Sequence, residues 1–177
     1  GTPEIMFDFR KVIAIVESNE ANATSEAGKS DDVVWKITGN LFDFLETEIH
    51  RRSDGWLPPT QTGFGNLTTT IVKNFEKSEF SELEFFCGGI NGSCVELLNT
   101  GKVKAVSCGS IEMTPTVMKL FSKDPEMIRK TITLRNSEVS NSSEVISRLG
   151  IIALNTGIEI DIFGNVNSSH ISGTKVR

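Results

Sequence analysis

The segments Leu83-Glu-Phe-Phe-Cys87 and Val103-Lys-Ala-Val-Ser-Cys108 decide the fold of this chain. Each is a short apolar run of the kind that forms strands, and residues 93–100 between them are predicted to form a short helix that Gly101 ends. Strands that alternate with helices along the sequence are typical of an α/β layer. This stretch therefore predicts an α/β fold.

The alternation continues on both sides. Upstream, the apolar run 12–16 (VIAIV) predicts a strand buried on both faces, and residues 34–51 predict an amphipathic helix. Pro58 and Pro59 then extend the chain toward residues 61–65. The predicted downstream elements are a helix at 116–122 that Thr114 and Pro115 start, a strand at 131–134, a helix that ends at Leu149, and strands at 151–154 and 158–163. We expect open, mostly parallel sheets.

The stretch 136–143 (NSEVSNSS) is polar and has no apolar periodicity. Such a stretch between periodic segments is typical of a linker. It predicts a division of the chain into a first domain at 1–135 and the start of a second domain at 144–177.

Charge and composition exclude several classes of function. The 177 residues carry 18 Lys and Arg against 23 Asp and Glu, which gives a net charge of −5. A deficit of basic charge removes the attraction on which binding to nucleic acids and anionic membranes depends. No apolar run reaches the roughly 18 to 20 residues that span a bilayer, so we expect a soluble protein. The three cysteines lack a CxxC pair and the histidines number two, so we expect no metal.

The strand predicted at 158–163 places two carboxylates on one face. Glu159 and Asp161 alternate with Ile158, Ile160 and Ile162, so they project the same way, about 7 Å apart along a strand. A polar strand face in contact with water explains this pattern. The alternative, which the pattern alone favours less, is a carboxylate that faces a cleft as nucleophile or as acid and base.

The sequence QTGFG at 61–65 places two glycines in a turn before a helix that begins near Asn66. Glycine lets backbone N–H groups approach an anion or a carbonyl oxygen closely. The same pattern also occurs in ordinary turns. Gly88 and Gly89 form a second turn of this kind.

Several motifs together resemble a known family. They are 155–170 (NTGIEIDIFGNVNSSH), 138–141 (EVSN), 145–150 (VISRLG), 61–66 (QTGFGN, similar to the family's QSGVGN) and 9–17 (FRKVIAIVE). This set closely resembles the acetyl-CoA hydrolase/CoA-transferase family, particularly its succinyl-CoA:acetate CoA-transferase branch. The resemblance covers most of the chain and is most specific from Leu134 to His170.

The resemblance implies a fold of the CoA-transferase type and a function. In the family the Glu of the E-x-D strand is assigned as the nucleophile, which by position is Glu159. It would form a covalent glutamyl-CoA thioester while CoA moves between acetyl- or succinyl-CoA and a small carboxylate. By the same resemblance, the residues that bind the acyl-CoA would be Gly63, Phe64, Gly65 and Asn165. Coenzyme A is then substrate and product, without a metal.

The same resemblance sets expectations for partners and location. Acyl-CoA and a small carboxylic acid are the expected ligands, a homo-oligomer is among the expected assemblies, and neither nucleic acid nor membrane is expected. The expected compartment is the cytoplasm, or a mitochondrion or another organelle in a eukaryote.

The chain also departs from the family pattern. Family members commonly carry acidic residues in a T-E-x-I-x-D-G stretch, where this chain has Gly88 and Gly92, and Phe64 replaces a usual Val. Family members are longer than this sequence. By the resemblance, they carry a glycine-rich GGSGDF-type segment shortly after the position that matches Lys175. Two alternatives therefore stand beside CoA transfer: hydrolysis of the same intermediate, and a non-catalytic acyl-CoA-binding subunit.

Overall fold

The computed structural model describes residues 7–20, 28, 30–52, 55–171 and 174–175. The helices are α1 (Asp32–Arg51), α2 (Asn66–Lys77), α3 (Gly92–Leu97), α4 (Pro115–Lys123), α5 (Pro125–Thr131), α6 (Ser137–Ser140) and α7 (Ser143–Leu149). The strands are β1 (Thr60–Thr62), β2 (Leu83–Cys87), β3 (Val103–Cys108), β4 (Ile132–Leu134), β5 (Ile152–Leu154), β6 (Glu159–Ile160), β7 (Val166–Asn167), β8 (His170–Ile171) and β9 (Thr174–Lys175).

Five of these strands form one parallel sheet in the order β4-β3-β2-β1-β5. The chain moves outward from β1 to β4 and then returns to the other side of β1. Because crossovers between parallel strands are right-handed, the outward path and the return path place their helices on opposite faces of the sheet. The α/β class and the parallel sheet that the sequence predicts are thus confirmed. Strands β6 to β9 form two antiparallel hairpins apart from this sheet.

The core lies between the sheet and the helices α1 to α5. At its centre, Phe75 of α2 is fully buried and packs edge-on against Phe42 and Phe85, with ring centroids 4.9 and 6.2 Å apart. Aromatic rings favour this arrangement because the positive edge of one ring meets the negative face of another. Phe75 therefore joins α1, α2 and β2 into one unit.

The prediction of a buried strand at 12–16 is wrong. This segment forms no strand and pairs with none of the described strands, and Ile13 and Ile15 are 100% and 79% exposed. The apolar run has the composition of a strand, but a strand also needs a neighbour for its backbone N–H and C=O groups. The sequence pattern shows the apolar composition of the segment, but it does not show whether a neighbouring strand is present.

The stretch predicted as a linker contains α6, which Asn136 caps by accepting a hydrogen bond from the N–H of Val139. Beyond it, β5 pairs with β1 in the five-stranded sheet. The division into domains at 1–135 and 144–177 stays a prediction.

Candidate active site

A cleft of about 360 Å³ opens where β1 and β2 end, beside β5. Its walls come from the turns after β1 and β2, from α6 and α7, and from β5 with the residue before it. The lining residues are Gln61, Thr62, Gly63, Phe64, Gly88, Gly89, Ser140, Asn141, Ile146, Ile151 and Ala153. A larger groove of about 640 Å³ between α2 and α3 contains none of the predicted site residues.

The position of the cleft follows from the strand order. The path of the chain reverses at β1, since β2 lies on one side of it and β5 on the other. In open α/β sheets such a reversal leaves a crevice at the carboxyl ends of the strands, where ligands bind. Gln61 and Asn155 join the two strands here: the Asn155 amide donates to Gln61 Oε1 at 2.7 Å, and Gln61 Nε2 donates back at 3.3 Å.

The predicted glycine loop forms one rim of this cleft. Gly63 faces the Asn155 amide so closely that a Cβ atom at residue 63 would lie 3.0 Å from Asn155 Oδ1. Gly65 has a φ of 108°, a conformation that favours glycine, and it precedes α2 without a side-chain cap. The first N–H groups of a helix have no partner within the helix, so the start of α2 is suited to a ligand oxygen.

The Phe64 ring lies directly against the second turn, at Gly89. A Cβ atom at Gly89 would lie 2.8 Å from Phe64 Cζ and 2.6 Å from Ser110 Oγ. Only glycine therefore leaves room for the phenyl ring at this place. Phe64 is 54% exposed, so its ring forms part of the wall without belonging to the core.

The second turn also meets the segment that was predicted as a linker. A Cβ atom at Gly88 would lie 2.7 Å from Asn141 Oδ1. Asn141 follows α6 and is exposed at the cleft. Sequence reasoning did not single out Asn141 or Ile146 as site residues. The EVSN and VISRLG motifs that contain them were the signal that could have identified them.

Glu159 lies elsewhere in the fold, on the hairpin β6–β7. Its side chain is exposed, and Oε2 accepts a hydrogen bond of 2.9 Å from Asn167 Nδ2. Asn167 lies opposite Glu159 in the register of the hairpin. Glu159 is not among the residues that line the cleft. The nucleophilic role of Glu159 stays a prediction.

Asp161 and Asn165 build the turn that closes this hairpin. Asp161 Oδ2 accepts from Asn165 Nδ2 at 2.8 Å, and Oδ1 accepts from the backbone N–H groups of Phe163 and Asn165. The Asn165 side chain, followed by these N–H groups, holds the pKa of Asp161 below its ordinary value. The turn ends β6 after two residues, which is why the strand predicted at 158–163 is shorter in the structure.

The three cysteines are unsuited to nucleophilic chemistry. Cys87, Cys94 and Cys108 are fully buried side chains of the core. Burial disfavours a thiolate, and it raises the pKa of Cys108 to about 11 and the pKa of Cys94 well above its ordinary value. At neutral pH these side chains therefore remain thiols.

This burial predicts a loss of stability in alkaline solution. An unfolded thiol has a pKa of about 8.5, whereas the folded pKa of Cys108 is about 11. The free energy of unfolding should therefore decrease as the pH rises from about 8.5 toward 11, because only the unfolded chain loses the proton in that range. Urea unfolding at several pH values measures the decrease. A Cys108→Ala variant should show a weaker dependence on pH, and an unchanged dependence would contradict the assignment.

Two further properties of the described residues concern membrane-spanning helices and metal sites. No helix in the described ranges combines the length and the apolar character needed to cross a membrane. Across the same ranges, no three side chains of His, Cys, Asp or Glu are grouped as a metal site would require.

Comparison with known proteins relates the chain to enzymes that act on CoA thioesters. Residues 119–177 match the acetyl-CoA hydrolase/transferase C-terminal domain. A succinyl-CoA:acetate CoA-transferase of Clostridium kluyveri is 34% identical over 99% of this chain, and an acetyl-CoA hydrolase of Neurospora crassa is 32% identical over 99%. A propanoyl-CoA:succinate CoA transferase of Escherichia coli is 32% identical over 98%.

Solved structures show the same fold at lower identity. RipA from Yersinia pestis superposes with a TM-score of 0.66 at 15% identity, over 84% of this chain and 33% of that chain. The chain spans about a third of the length of the curated relatives it matches. The resemblance that the sequence predicts is confirmed: almost all of this chain is similar to proteins named as CoA-transferases and acetyl-CoA hydrolases, and its last third matches the family model.

Proposed function

We propose that this chain forms the acyl-CoA-binding part of an enzyme that transfers CoA between an acyl-CoA and a small carboxylate. The similarity of nearly the whole chain to CoA-transferases and acetyl-CoA hydrolases carries this proposal. The cleft supports it, because the glycine loop and the uncapped start of α2 lie at the ligand-binding edge of the sheet.

The proposed reaction proceeds through a covalent enzyme thioester. The Glu159 carboxylate attacks the thioester carbonyl and the carbon–sulfur bond breaks. CoA departs as the thiolate, and Glu159 is then joined to the acyl group as a mixed anhydride. The thiolate then attacks the glutamyl carbonyl, which releases the acyl group as a carboxylate and leaves glutamyl-CoA. An acceptor carboxylate reverses these two steps, forms its own acyl-CoA and returns Glu159 as a free carboxylate.

The start of α2 is suited to stabilise the oxyanion in these steps. A carboxylate is already ionised at neutral pH, so it needs no general base. It is a modest nucleophile, so the barrier falls mainly when N–H donors stabilise the tetrahedral oxyanion. The N–H of Gly63 donates to the carbonyl oxygen of Leu154 at 3.4 Å, so the donors for this role would come from Phe64, Gly65 and the first turn of α2.

Replacement of Glu159 by Gln in the full-length protein tests the nucleophile. We expect the exchange of labelled acetate into acetyl-CoA to fall by at least about 10³-fold, since the covalent step is lost. Borohydride should trap glutamyl-CoA in the parent protein and not in the variant. Glu126→Gln, at an exposed position on α5, is the matched control and should exchange normally. Full exchange by Glu159→Gln would assign the nucleophile elsewhere and leave CoA binding in place.

Hydrolysis is the variant of this function in which water captures the same intermediate. The similar proteins include both CoA-transferases and acetyl-CoA hydrolases, at nearly the same identity to this chain. Acyl-CoA consumption with and without added acetate or succinate distinguishes them. A transferase requires the acceptor, whereas a hydrolase consumes acyl-CoA without it.

A second candidate function is acyl-CoA binding without turnover. The walls of the cleft, as far as the described residues form them, carry no carboxylate, and Gly88 stands where the family commonly has an acidic residue. The neutral side-chain amide of Asn141 occupies the space that a side chain at residue 88 would need. Tight CoA binding together with no exchange of labelled acyl groups in the parent protein would favour this function over transfer.

A further inference from the structure

We infer that Asn167 is a positioning residue whose side-chain amide holds the Glu159 carboxylate in the orientation from which it attacks a thioester. This inference rests on the proposed function, because it takes Glu159 as the nucleophile. It assigns a role in the reaction to a residue that does not line the cleft and that the sequence does not predict as part of the site.

The hairpin β6–β7 brings the two side chains together. Asn167 lies directly opposite Glu159 in the register of the hairpin. Residues directly opposite each other in an antiparallel pair project from the same face, with Cβ atoms about 4.5–5.5 Å apart. Across this short gap Asn167 Nδ2 donates to Glu159 Oε2 at 2.9 Å. The contact is therefore a direct result of the register.

The Asn167 amide is fixed by all the hydrogen bonds that it can form. A side-chain amide has two N–H donors and an oxygen with two lone pairs. Besides the bond to Glu159, Nδ2 donates to the carbonyl oxygen of His170 at 2.8 Å. Oδ1 accepts from the backbone N–H groups of Ser169 and His170, both at 3.1 Å. An exchange of the oxygen and nitrogen positions would turn all four bonds into repulsive contacts, so a donor always faces Glu159.

This contact leaves one carboxylate oxygen available for attack. Oε2 of Glu159 accepts from Asn167, whereas Oε1 accepts no hydrogen bond from the described residues. A misplacement of a reacting atom by about 1 Å can lower a rate about 10²-fold, so a carboxylate that is held at one oxygen has an advantage. Once Oε1 has bonded to the acyl carbon, Oε2 is the glutamyl carbonyl oxygen. The Asn167 N–H then faces the atom on which negative charge develops as the CoA thiolate attacks.

Asn167→Asp in the full-length protein separates this role from a role in the turn. The introduced carboxylate still accepts from the N–H groups of Ser169 and His170, but while it is ionised it has no donor for Glu159. We expect kcat for the exchange of labelled acetate into acetyl-CoA to fall about 10- to 100-fold at about pH 8, while KM for acetyl-CoA changes by less than about twofold. Asn40→Asp, the same change at an exposed position of α1, is the matched control and should exchange normally.

The pH profile of Asn167→Asp gives a signature that a damaged turn does not produce. The charge of Glu159 raises the pKa of the introduced carboxyl group above its ordinary value of about 3.9. Once protonated, this group again donates to Glu159. The exchange rate of the variant, divided by the rate of the parent protein at the same pH, should therefore rise at least about threefold between about pH 8 and about pH 5. The division removes the effect of titratable groups that both proteins carry, such as Asp161 and His170.

The result that would overturn the inference is full exchange by Asn167→Asp, or a lowered rate whose ratio to the parent rate does not change with pH. Hydrogen exchange of the backbone amides of residues 166–170 identifies a damaged turn, and rapid exchange of these amides together with lost activity would assign Asn167 to the turn alone. Glu159→Gln, measured in parallel, keeps the proposed function separate. Full activity of Glu159→Gln would overturn the nucleophile, whereas its inactivity beside a fully active Asn167→Asp would overturn this inference alone.

Discussion

Replacement of Phe75 by alanine is expected to lower the free energy of unfolding by about 3–5 kcal/mol. Phe75 has no exposed surface, and its ring contacts the rings of Phe42, Phe80 and Phe85. The variant loses this buried apolar area and leaves a cavity that rigid neighbours fill only in part. Urea unfolding followed by circular dichroism measures the change.

An exposed phenylalanine provides the matched comparison. Phe44 lies on α1 with 59% of its surface exposed. Phe44→Ala should change the free energy of unfolding by no more than about 0.5 kcal/mol. If both variants lost the same stability, the centre of the core would not be where the structure places it.

Gly109→Ala is expected to damage the cleft and the fold together. A Cβ atom at residue 109 would lie 2.7 Å from the carbonyl oxygen of Gly88 and 2.9 Å from Ser140 Oγ. The Ser140 side chain could rotate away from the added methyl group, but the Gly88 carbonyl can move only if the backbone of its turn moves. We expect a loss of about 1–3 kcal/mol in the free energy of unfolding. Because the Gly88 turn forms one wall of the cleft, acetyl-CoA should also bind at least about tenfold more weakly.

The same substitution in α1 should have the opposite sign. Gly39 lies within α1, and a Cβ atom there would meet nothing within 4 Å. Gly39→Ala should therefore raise the free energy of unfolding by about 0.5–1 kcal/mol, because alanine loses less backbone freedom than glycine in a helix. Acetyl-CoA affinity should not change. A stabilising Gly109→Ala variant would contradict the close approach of Gly88.

The parallel sheet could be predicted from sequence because its central strands carry their own signals. LEFFC and VKAVSC are bounded by turn residues, and they form β2 and β3 within the predicted limits. The run 12–16 carries the same signal and forms no strand in the described structure. Apolar composition reports what a segment can bury, but strand pairing depends on residues far away in the sequence.

The candidate site was predictable only in part. The spacing of Gly63 and Gly65 predicts the glycine loop, and Gly63 and Phe64 of this loop line the cleft, whereas Gly65 is not among its lining residues. The opposite wall includes Asn141 from the polar stretch 136–143, Ile146 from the helix predicted to end at Leu149, and Ala153 from the strand predicted at 151–154. Their contribution follows from the return of the chain to β1, which no local pattern encodes. Glu159, which the resemblance suggests as the nucleophile, lies on the exposed hairpin, and its role awaits the exchange experiment.

The last strand of the sheet has a consequence for biogenesis. The amide pair between Gln61 and Asn155 joins residues that are 94 positions apart, and β5 covers the side of β1 that β2 leaves open. While a ribosome is still synthesising the middle of the chain, β1 can pair with β2 but presents a bare edge on its other side. Such an edge is a site where nascent chains associate wrongly. The pairing of β5 with β1 therefore both covers this edge and completes the cleft.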